Sequence, residues 1–393
     1  NNAILAANIY DIRKNSLDIA AYLETSQKLS KPIVIQSSFN AIGQKEKYGS
    51  KISEGYLKLK DGPNDFIESV YKKARDLYLK KNKEFLFGIG LDHIDFRYDL
   101  PKGRVFRFLK SFKNINNITH FTLDSSYLLE DKKISNFTKK KRGLIINVLK
   151  NEINLLKQIK NNHIFDFEFC ANELNYIENK KKIYVPSQKD IEFFAETFFN
   201  QIDKSKIKYF NSRPKLIIGN LGTVHHGKDD NYVKSEISKE WIENIKCLNF
   251  ISAVLHGTSR SSPSVLKRAT NGCFKINVAG DFLQVLVSNL PSNLRKIVLD
   301  KNDNEKKKLY LIRNKLDLMK DFYKKKIIKN LSLKCTNFME LINTPSLTNN
   351  DVKYFKYKSY NITKDQARYI SKLVGKNKNY FEFSEKKGKV KGK

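Results

Sequence analysis

Four of the six histidines directly follow short apolar runs of the sequence, and this placement can bring their imidazoles together. They are His93, His225, His226 and His256. A lone histidine in such a place is more often structural, but the same feature after three separate runs favours a shared site. Three imidazoles form a metal site with open positions for a substrate, and these ligands suit zinc.

Eight short apolar runs recur over the first 280 residues, and most of the gaps between them carry a helical pattern. The runs are residues 3–10, 32–38, 85–93, 120–126, 164–169, 216–223, 252–258 and 273–280, and the helical patterns cover 16–29, 66–80, 141–159, 187–199 and 262–271. Continuous apolar runs are typical of parallel strands that are buried on both faces. The alternation predicts the α/β class and a (β/α)8 TIM barrel. Because barrels carry their chemistry at the C-terminal ends of the strands, these four histidines would share one mouth, whereas His120 and His163 would lie at the opposite face.

The charge balance is strongly basic, with 74 Lys and Arg against 41 Asp and Glu and a net charge of +33. Such an excess suggests nucleic acid, a membrane surface or an anionic substrate. Here the excess is mostly lysine scattered along the chain, so a nucleic-acid-binding protein is only a distant alternative. No apolar run reaches the 18 residues of a transmembrane helix, and the first residues lack a basic-then-apolar pattern, so we do not expect a secretory precursor. The four cysteines show no CxxC spacing, which favours free thiols in a reducing compartment. We therefore expect a cytoplasmic protein, and without a transmembrane segment we expect no membrane contact.

The pattern changes after about residue 280, where the strands end. Residues 304–331 predict one long basic helix, residues 332–350 an irregular stretch and residues 363–374 another helix. The tail from residue 385 is predicted to be disordered. We therefore predict a barrel domain over residues 1–290 and a basic, mainly helical C-terminal extension over residues 291–393.

The predicted strand ends resemble those of a known enzyme family, the class II, metal-dependent fructose-bisphosphate and tagatose-bisphosphate aldolases. The resemblance spans about residues 3–285 and rests on LDH at 91–93, LDSS at 123–126, GTVH at 222–225, VLHGTS at 254–259 and KINVA at 275–279. Each motif is weak alone, but together and in this order they are highly specific. The NVA of residues 277–279 is similar to the tagatose branch.

The resemblance implies a role for individual residues of this chain. His93, His225 and His256 would bind the catalytic zinc, and Glu168 would offer a second or alternative metal position. Asp92 would act as acid or base on the hydroxyl at the breaking bond, Asn277 would orient the bound enediolate, and Asp124 would support the site from behind. The candidates for binding the substrate and its phosphates are Gln36, Ser38, Gly227, Gly257, Ser259, Arg260 and Asp281.

The chemistry of aldol cleavage fits these residue types without the resemblance. Cleavage leaves negative charge on an enolate oxygen, which a metal ion stabilises as a Lewis acid. A carboxylate beside the metal can accept the hydroxyl proton that starts the reaction. A second acid then protonates the enediolate carbon, and Glu173 is our candidate for that acid.

Several positions depart from the family pattern. The family usually has Gly after the sixth-strand histidine, where this chain has His226, so either His225 or His226 is the ligand. Arg260 stands where the family has Gly, and its guanidinium could bind a phosphate. Gly280 stands where the family has Thr, and the loop after Glu168 is shortened.

The leading hypothesis is a zinc-dependent aldolase of carbohydrate metabolism and glycolysis, with another divalent ion as an alternative cofactor. It would cleave a ketose (bis)phosphate, such as fructose 1,6-bisphosphate or tagatose 1,6-bisphosphate, to dihydroxyacetone phosphate and an aldehyde such as glyceraldehyde 3-phosphate. The alternative is a divergent member of the same barrel family with a different aldol substrate. The resemblance also implies a homodimer or homotetramer.

Overall fold

A computed structural model gives the structure of the protein. The residues that it describes are 3–11, 16–42, 63–81, 86–95, 118, 120–124, 143, 146–147, 150, 166–170, 177–178, 182–183, 200, 215–217, 253–256, 258, 263–269, 273–299, 309 and 312–344. The predicted helices at 141–159 and 187–199, the predicted helix at 363–374 and the tail lie wholly or almost wholly outside these residues.

Eight parallel strands close into a barrel, as the apolar runs predict. They are β1 (Ile4–Asn8), β2 (Ile33–Ser38), β3 (Phe87–Asp95), β4 (His120–Asp124), β5 (Asp166–Cys170), β8 (Lys215–Ile217), β9 (Ala253–Leu255) and β10 (Cys273–Val278). Neighbours around the barrel follow the chain order, and β10 pairs with β1 to close it. Two further strands, β6 (Ile177–Glu178) and β7 (Lys182–Ile183), form a separate antiparallel pair. The predicted (β/α)8 TIM barrel is therefore confirmed.

Eight helices lie among the described residues, and the first of them begins at a side-chain cap. They are α1 (Leu17–Leu29), α2 (Phe39–Ile42), α3 (Pro63–Lys81), α4 (Pro263–Ala269), α5 (Gly280–Ser288), α6 (Ser292–Leu299), α7 (Arg313–Asp317) and α8 (Asp321–Leu341). Ser16 caps α1 by accepting a hydrogen bond from the Ile19 amide, and the helix ends at Ser30 in the left-handed conformation. The helices predicted at 16–29, 66–80 and 262–271 are α1, α3 and α4.

The C-terminal region differs from the predicted single helix over residues 304–331. The chain leaves helical geometry at Lys320, with φ −57° and ψ 143°, so α7 and α8 are separate helices. Asp321 stands in the first turn of α8, where a negative charge favours a helix start. The stretch after residue 331, predicted to be irregular, is instead helical as far as Leu341. Buried residues at helical spacing continue past Leu331 and fix this helix on the barrel.

Helix α8 packs on α1 and α5, in a contact that we call the helical seam. Its core is aromatic, since the Phe282 ring lies 5.0 Å from the Tyr22 ring and 5.7 Å from the Phe338 ring. Each fully buried side chain of this size stabilises the fold by roughly 1.5–3 kcal/mol. The hydroxyls of Thr25 and Ser332 both donate to carbonyl oxygens across or within the seam. The predicted domain boundary at residue 290 remains a prediction.

The interior of the barrel is partly polar below its C-terminal mouth. His120, which the sequence analysis places at the face opposite the mouth, is buried at the first position of β4. Its burial, and then the Lys275 ammonium, hold the pKa of His120 well below its usual range, so its imidazole is neutral at neutral pH.

Within the described residues, every helix lacks the length or the apolar character needed to cross a bilayer.

Candidate active site

The strand register brings several predicted site residues to one end of the barrel. Asn8 of β1 pairs with Gln36 of β2, and Ser38 of β2 pairs with Asp92 of β3. Side chains at paired positions of parallel strands point to the same face of the sheet, and those two apart along a strand share that face. Asn8, Gln36, Ser38 and Asp92 therefore line the same face at the C-terminal ends of their strands.

A bulge in β3 lets two consecutive residues serve the same site. Leu91 pairs with Phe121 and Ile94 with Leu123, so two residues of β3, Asp92 and His93, oppose one residue of β4. His93 has φ 53°, in the left-handed region that non-glycine residues rarely occupy. In a regular strand these two side chains would point to opposite faces. Here they lie together, with His93 Nε2 3.4 Å from Asp92 Oδ2.

Asp92, His93 and His256 form the one group of potential metal ligands found among the described residues. One ligand atom from each lies within 4.8 Å of the other two, and the two imidazole rings are 5.0 Å apart and nearly perpendicular. Asp92 and His256 are buried, with 3% and 2% of their surface exposed. Two imidazoles and a carboxylate are donors that catalytic zinc sites use. The residues present therefore fit the metal that the sequence predicts.

Asn277 holds the His256 imidazole in place. Its amide nitrogen lies 2.6 Å from His256 Nε2, and both side chains are buried. The Thr258 hydroxyl donates to the Asn277 carbonyl oxygen at 2.6 Å, which ties the chain after β9 to the end of β10. Such partners fix the orientation of a ligand imidazole. The structure thus brings together His256 and Asn277, which are predicted site residues of the seventh and eighth barrel strands.

Gln36 and Asn8 complete this group at the barrel mouth. The Gln36 amide nitrogen donates to Asn8 Oδ1 at 2.6 Å and to Asp92 Oδ2 at 3.3 Å. In the structure the Gln36 amide nitrogen contacts the predicted acid/base Asp92, and the phosphate contact predicted for Gln36 stays a prediction. The sequence analysis did not single out Asn8, which is a polar residue within the first apolar run and the last residue of β1. We call Asn8, Gln36, Asp92, His93, His256 and Asn277 the mouth cluster.

Three buried oxygens of the mouth cluster have no hydrogen-bond partner in the part of the chain that the structure describes. They are Asp92 Oδ1, Gln36 Oε1 and Asn277 Oδ1. Buried polar atoms are nearly always paired with protein, water or ligand, so each unpaired oxygen needs an explanation. All three can accept a hydrogen bond. The mouth cluster is therefore suited to a ligand with several hydroxyl donors.

For the other predicted site residues with described surroundings, the contacts that we describe are made outside this cluster. The Ser38 hydroxyl accepts a hydrogen bond from the Ala41 amide at the start of α2. Asp281 stands in the first turn of α5, where its carboxylate is 3.1 Å from the Lys334 ammonium of α8. Gly280 is the first residue of the same helix.

The remaining predicted residues have no described side chain. Asp124 ends β4 and pairs with Cys170, while Glu168 lies on β5 and pairs with Thr122 and Lys215. The others fall outside the described residues: Glu173, His225, His226, Gly227, Gly257, Ser259 and Arg260. Their roles stay predictions.

Comparison with known proteins yields one family and several structures. The family model for class II fructose-bisphosphate aldolase matches residues 215–335. That segment begins at β8, contains His256 and Asn277, and ends within α8. No curated protein matches the chain in sequence.

Solved structures resemble the chain over most of its length. A putative fructose-1,6-biphosphate aldolase from Coccidioides immitis has a TM-score of 0.54 at 12% identity, over 89% of this chain and 93% of that one. The YdjI aldolase from Escherichia coli K12 gives 0.52 at 12%, over 87% and 92%. Fructose-bisphosphate aldolase from Campylobacter jejuni gives 0.50 at 18%, over 88% and 91%.

At these identities the structures establish a shared fold, and the family match adds a specific sequence signal from β8 to α8. Together they support an enzyme of the aldolase type. The resemblance predicted from the strand ends is confirmed: residues 215–335 match the family model for class II fructose-bisphosphate aldolase, and the chain shares a TIM-barrel fold with solved structures of aldolases.

Proposed function

We propose that this protein is a metal-dependent aldolase that reversibly cleaves a ketose (bis)phosphate, such as fructose 1,6-bisphosphate or tagatose 1,6-bisphosphate. The products would be dihydroxyacetone phosphate and an aldehyde such as glyceraldehyde 3-phosphate. The observation that carries the proposal is the buried Asp92 carboxylate beside the His93 and His256 imidazoles. Metal-dependent aldol cleavage requires a base close to the ligands of the metal ion.

The metal would be held by His93, His256 and one histidine of the pair His225 and His226. Glu168 would offer a further ligand position. Zinc fits this donor set, and another divalent ion is the alternative. When bound, the ion supplies a Lewis acid that stabilises negative charge on the enolate oxygen.

The described side chains would divide the remaining work. Asp92 Oδ1 lacks a partner among the described residues, so it can accept the proton of the substrate hydroxyl at the breaking bond. Its other oxygen accepts from Gln36 and faces His93, which fixes the plane of the carboxylate. Asn277 would orient the enediolate with its amide oxygen, which has no hydrogen-bond partner among the described residues. Glu173 is the candidate to protonate the enediolate carbon.

The acceptor character of the mouth cluster supports a polyhydroxy substrate. A sugar offers a hydroxyl on successive carbons, and each hydroxyl can donate to one of the unpaired oxygens. Sites built to bond a substrate hydroxyl strongly reject analogues that lack it, because a buried acceptor is then left unpaired. We therefore expect deoxygenated analogues to be poor substrates.

The first experiment compares cleavage of fructose 1,6-bisphosphate and tagatose 1,6-bisphosphate, with triose phosphate release followed by a coupled reductase. Protein loaded with zinc, protein treated with a chelator, and chelated protein reloaded with zinc are measured side by side. We expect that the chelator abolishes cleavage and that zinc restores it. The sugar that is cleaved faster would be the preferred substrate of the two. Absence of cleavage of both sugars by the loaded protein would argue against a ketose-bisphosphate substrate.

A second candidate keeps the chemistry and changes the substrate. It is favoured by Asp281, because the Lys334 ammonium that engages it competes with any role in substrate binding. It is also favoured by Gly280, which has no side chain to offer a phosphate. Cleavage of unphosphorylated or monophosphorylated ketoses, but not of the bisphosphates, would identify this candidate.

The expected partners follow from the same proposal. A phosphorylated sugar is the small-molecule partner, and work on fructose bisphosphate would place the enzyme in glycolysis. A homodimer or homotetramer is expected from the family resemblance. Light scattering after size-exclusion chromatography would measure the mass of the assembly against the 45.7 kDa chain.

A further inference from the structure

Strands β2 and β3 approach each other unusually closely at Gly90. A Cβ atom at this position would lie 2.8 Å from Gln36 Cβ and 3.1 Å from Val34 Cγ1. The nearer atom is attached directly to the β2 backbone, so it cannot move aside by changing rotamer. Any side chain at residue 90 therefore requires one strand to shift away from the other.

Such a shift would reach Asp92, which lies two residues further along β3. The Gln36 amide donates to Asp92 Oδ2 at 3.3 Å, slightly beyond the usual N–H···O range. Both side chains are buried, so water cannot readily replace this bond. A displacement of a few tenths of an ångström would break it.

We propose that Gly90 is a positioning residue for Asp92, because its missing side chain lets β2 come close enough for Gln36 to hold the Asp92 carboxylate. The inference rests on the proposed function, in which Asp92 is the base. One Asp92 oxygen is fixed by Gln36, and the other then points to the substrate without a partner among the described residues. Loss of the Gln36 bond would let the carboxylate rotate away from its productive direction.

Gly90→Ala, Gln36→Gly and the double variant test this relation as a cycle. Gln36→Gly removes both the donor to Asp92 and the Cβ that would collide with a side chain at residue 90. We expect each single variant to lower kcat about 10- to 100-fold, as is typical when the partner of a site residue is lost. KM should change less than about twofold in Gly90→Ala, whereas Gln36→Gly should also raise KM because it removes the Gln36 Oε1 acceptor. The double variant should lose no more kcat than either single variant, and it should melt at a higher temperature than Gly90→Ala.

Gly143→Ala is the matched control, since a Cβ there meets no atom within 4 Å. It should retain the kcat of the unaltered protein. The visible spectrum of the Co²⁺-loaded protein gives a second readout that does not depend on turnover. Because Asp92 touches His93, we expect Gly90→Ala and Gln36→Gly to change this spectrum in the same way and Gly143→Ala to leave it unchanged.

Unchanged kcat and an unchanged cobalt spectrum in folded Gly90→Ala would overturn the inference. A rise in KM at constant kcat in Gln36→Gly would also overturn it, because that result assigns Gln36 to substrate binding instead. If Gly90→Ala fails to fold, Gln36→Gly decides by the same criteria. If the unaltered protein cleaves neither sugar, the proposed function fails, while the cobalt spectra still decide the role of Gly90.

Discussion

The mouth cluster and the helical seam are both largely buried, but they differ in how their polar groups are paired. In the seam, the Thr25 and Ser332 hydroxyls donate to carbonyl oxygens, and the Tyr22 and Phe282 rings meet edge to face. In the mouth cluster, buried oxygens lack partners within the described chain, and His93 has a left-handed backbone. Each unsatisfied group or strained residue costs on the order of 1–3 kcal/mol.

The difference separates the residues that stabilise the barrel from the residues that we propose carry out its chemistry. Strain and unpaired acceptors persist in native proteins where the surrounding structure over-determines them, and they concentrate at functional sites. The seam supplies part of that surrounding structure, because α1 follows the strand that contains Asn8 and α5 follows the strand that contains Asn277. We therefore expect mutations in the mouth cluster to remove activity while sparing stability, and mutations in the seam to do the reverse.

The largest effect is expected for His256→Ala. Loss of this proposed metal ligand should remove several kcal/mol of transition-state stabilisation, so we expect cleavage to fall at least about 10³-fold. Zinc affinity should fall with it, while the free energy of unfolding of the metal-free protein should hardly change. Isothermal titration with zinc and urea unfolding measure the two quantities. His120→Ala is the matched control, a buried histidine outside the cluster that should lose stability and keep zinc affinity.

Asp92→Asn should give the next largest change and sharpen the contrast. The amide cannot accept the hydroxyl proton, so kcat should fall about 10²- to 10⁴-fold. Stability should stay constant or rise, because a buried carboxylate oxygen without a described partner is replaced by a neutral group. Urea unfolding and the coupled assay are run on the same preparation. A clear loss of stability would show that Asp92 is structural and would break the comparison.

Phe282→Ala probes the seam in the opposite direction. Its ring is fully buried between Tyr22 and Phe338, so truncation should lower the free energy of unfolding by about 3–5 kcal/mol. The folded fraction should keep kcat within a few-fold of the unaltered value. Phe322→Ala on the exposed face of α8, where 68% of the residue is accessible, should change stability by less than about 0.5 kcal/mol. Equal effects of the two substitutions would contradict the assigned seam.

The smallest effect concerns the carboxylates where β1 leads into α1. Burial, and then the neighbouring Asp11, raise the pKa of Asp18 to about 6. The folded state therefore binds a proton more tightly than the unfolded state. The stability gained is fully present below about pH 3.8 and is lost as pH rises through about 6.

Asp11→Asn removes the repulsion between the two carboxylates and can still accept from the Leu17 amide. The pKa of Asp18 should fall towards its ordinary value, and the loss of stability between pH 4 and pH 6 should shrink by about 1 kcal/mol. Melting temperatures across this pH range measure the change. An unaltered slope would show that burial alone sets the Asp18 pKa.

The barrel could be predicted from sequence because its strands are buried on both faces and read as continuous apolar runs. Asp92, His93, His256 and Asn277 could be chosen as candidate site residues because they lie near the ends of those runs. The C-terminal ends of parallel barrel strands lie at one face of the barrel. The bulge at Asp92 and His93 could not be predicted, because it depends on the register of β3 against β4 rather than on local sequence. The same holds for Gly90, whose close contact lies on another strand.

The C-terminal helices show a different kind of error. The predicted helix over residues 304–331 followed the run of lysines, whereas the apolar positions Ile327, Leu331, Cys335 and Phe338 continue at helical spacing beyond it. That signal was present in the sequence and would have extended the helix. Its burial against α1 required the fold, because the two helices are far apart along the chain.

The closure of the barrel also has a consequence for how the chain is made. Thr25 and Ser332 are bonded across a separation of 307 residues, and β1 completes its pairing only when β10 is available. At a synthesis rate of about 5–20 residues per second, the apolar face of α1 stays uncovered for tens of seconds on a ribosome. A nascent chain of this protein is therefore exposed to aggregation until α8 has emerged. We expect chaperones to bind its first helix, α1, during this time.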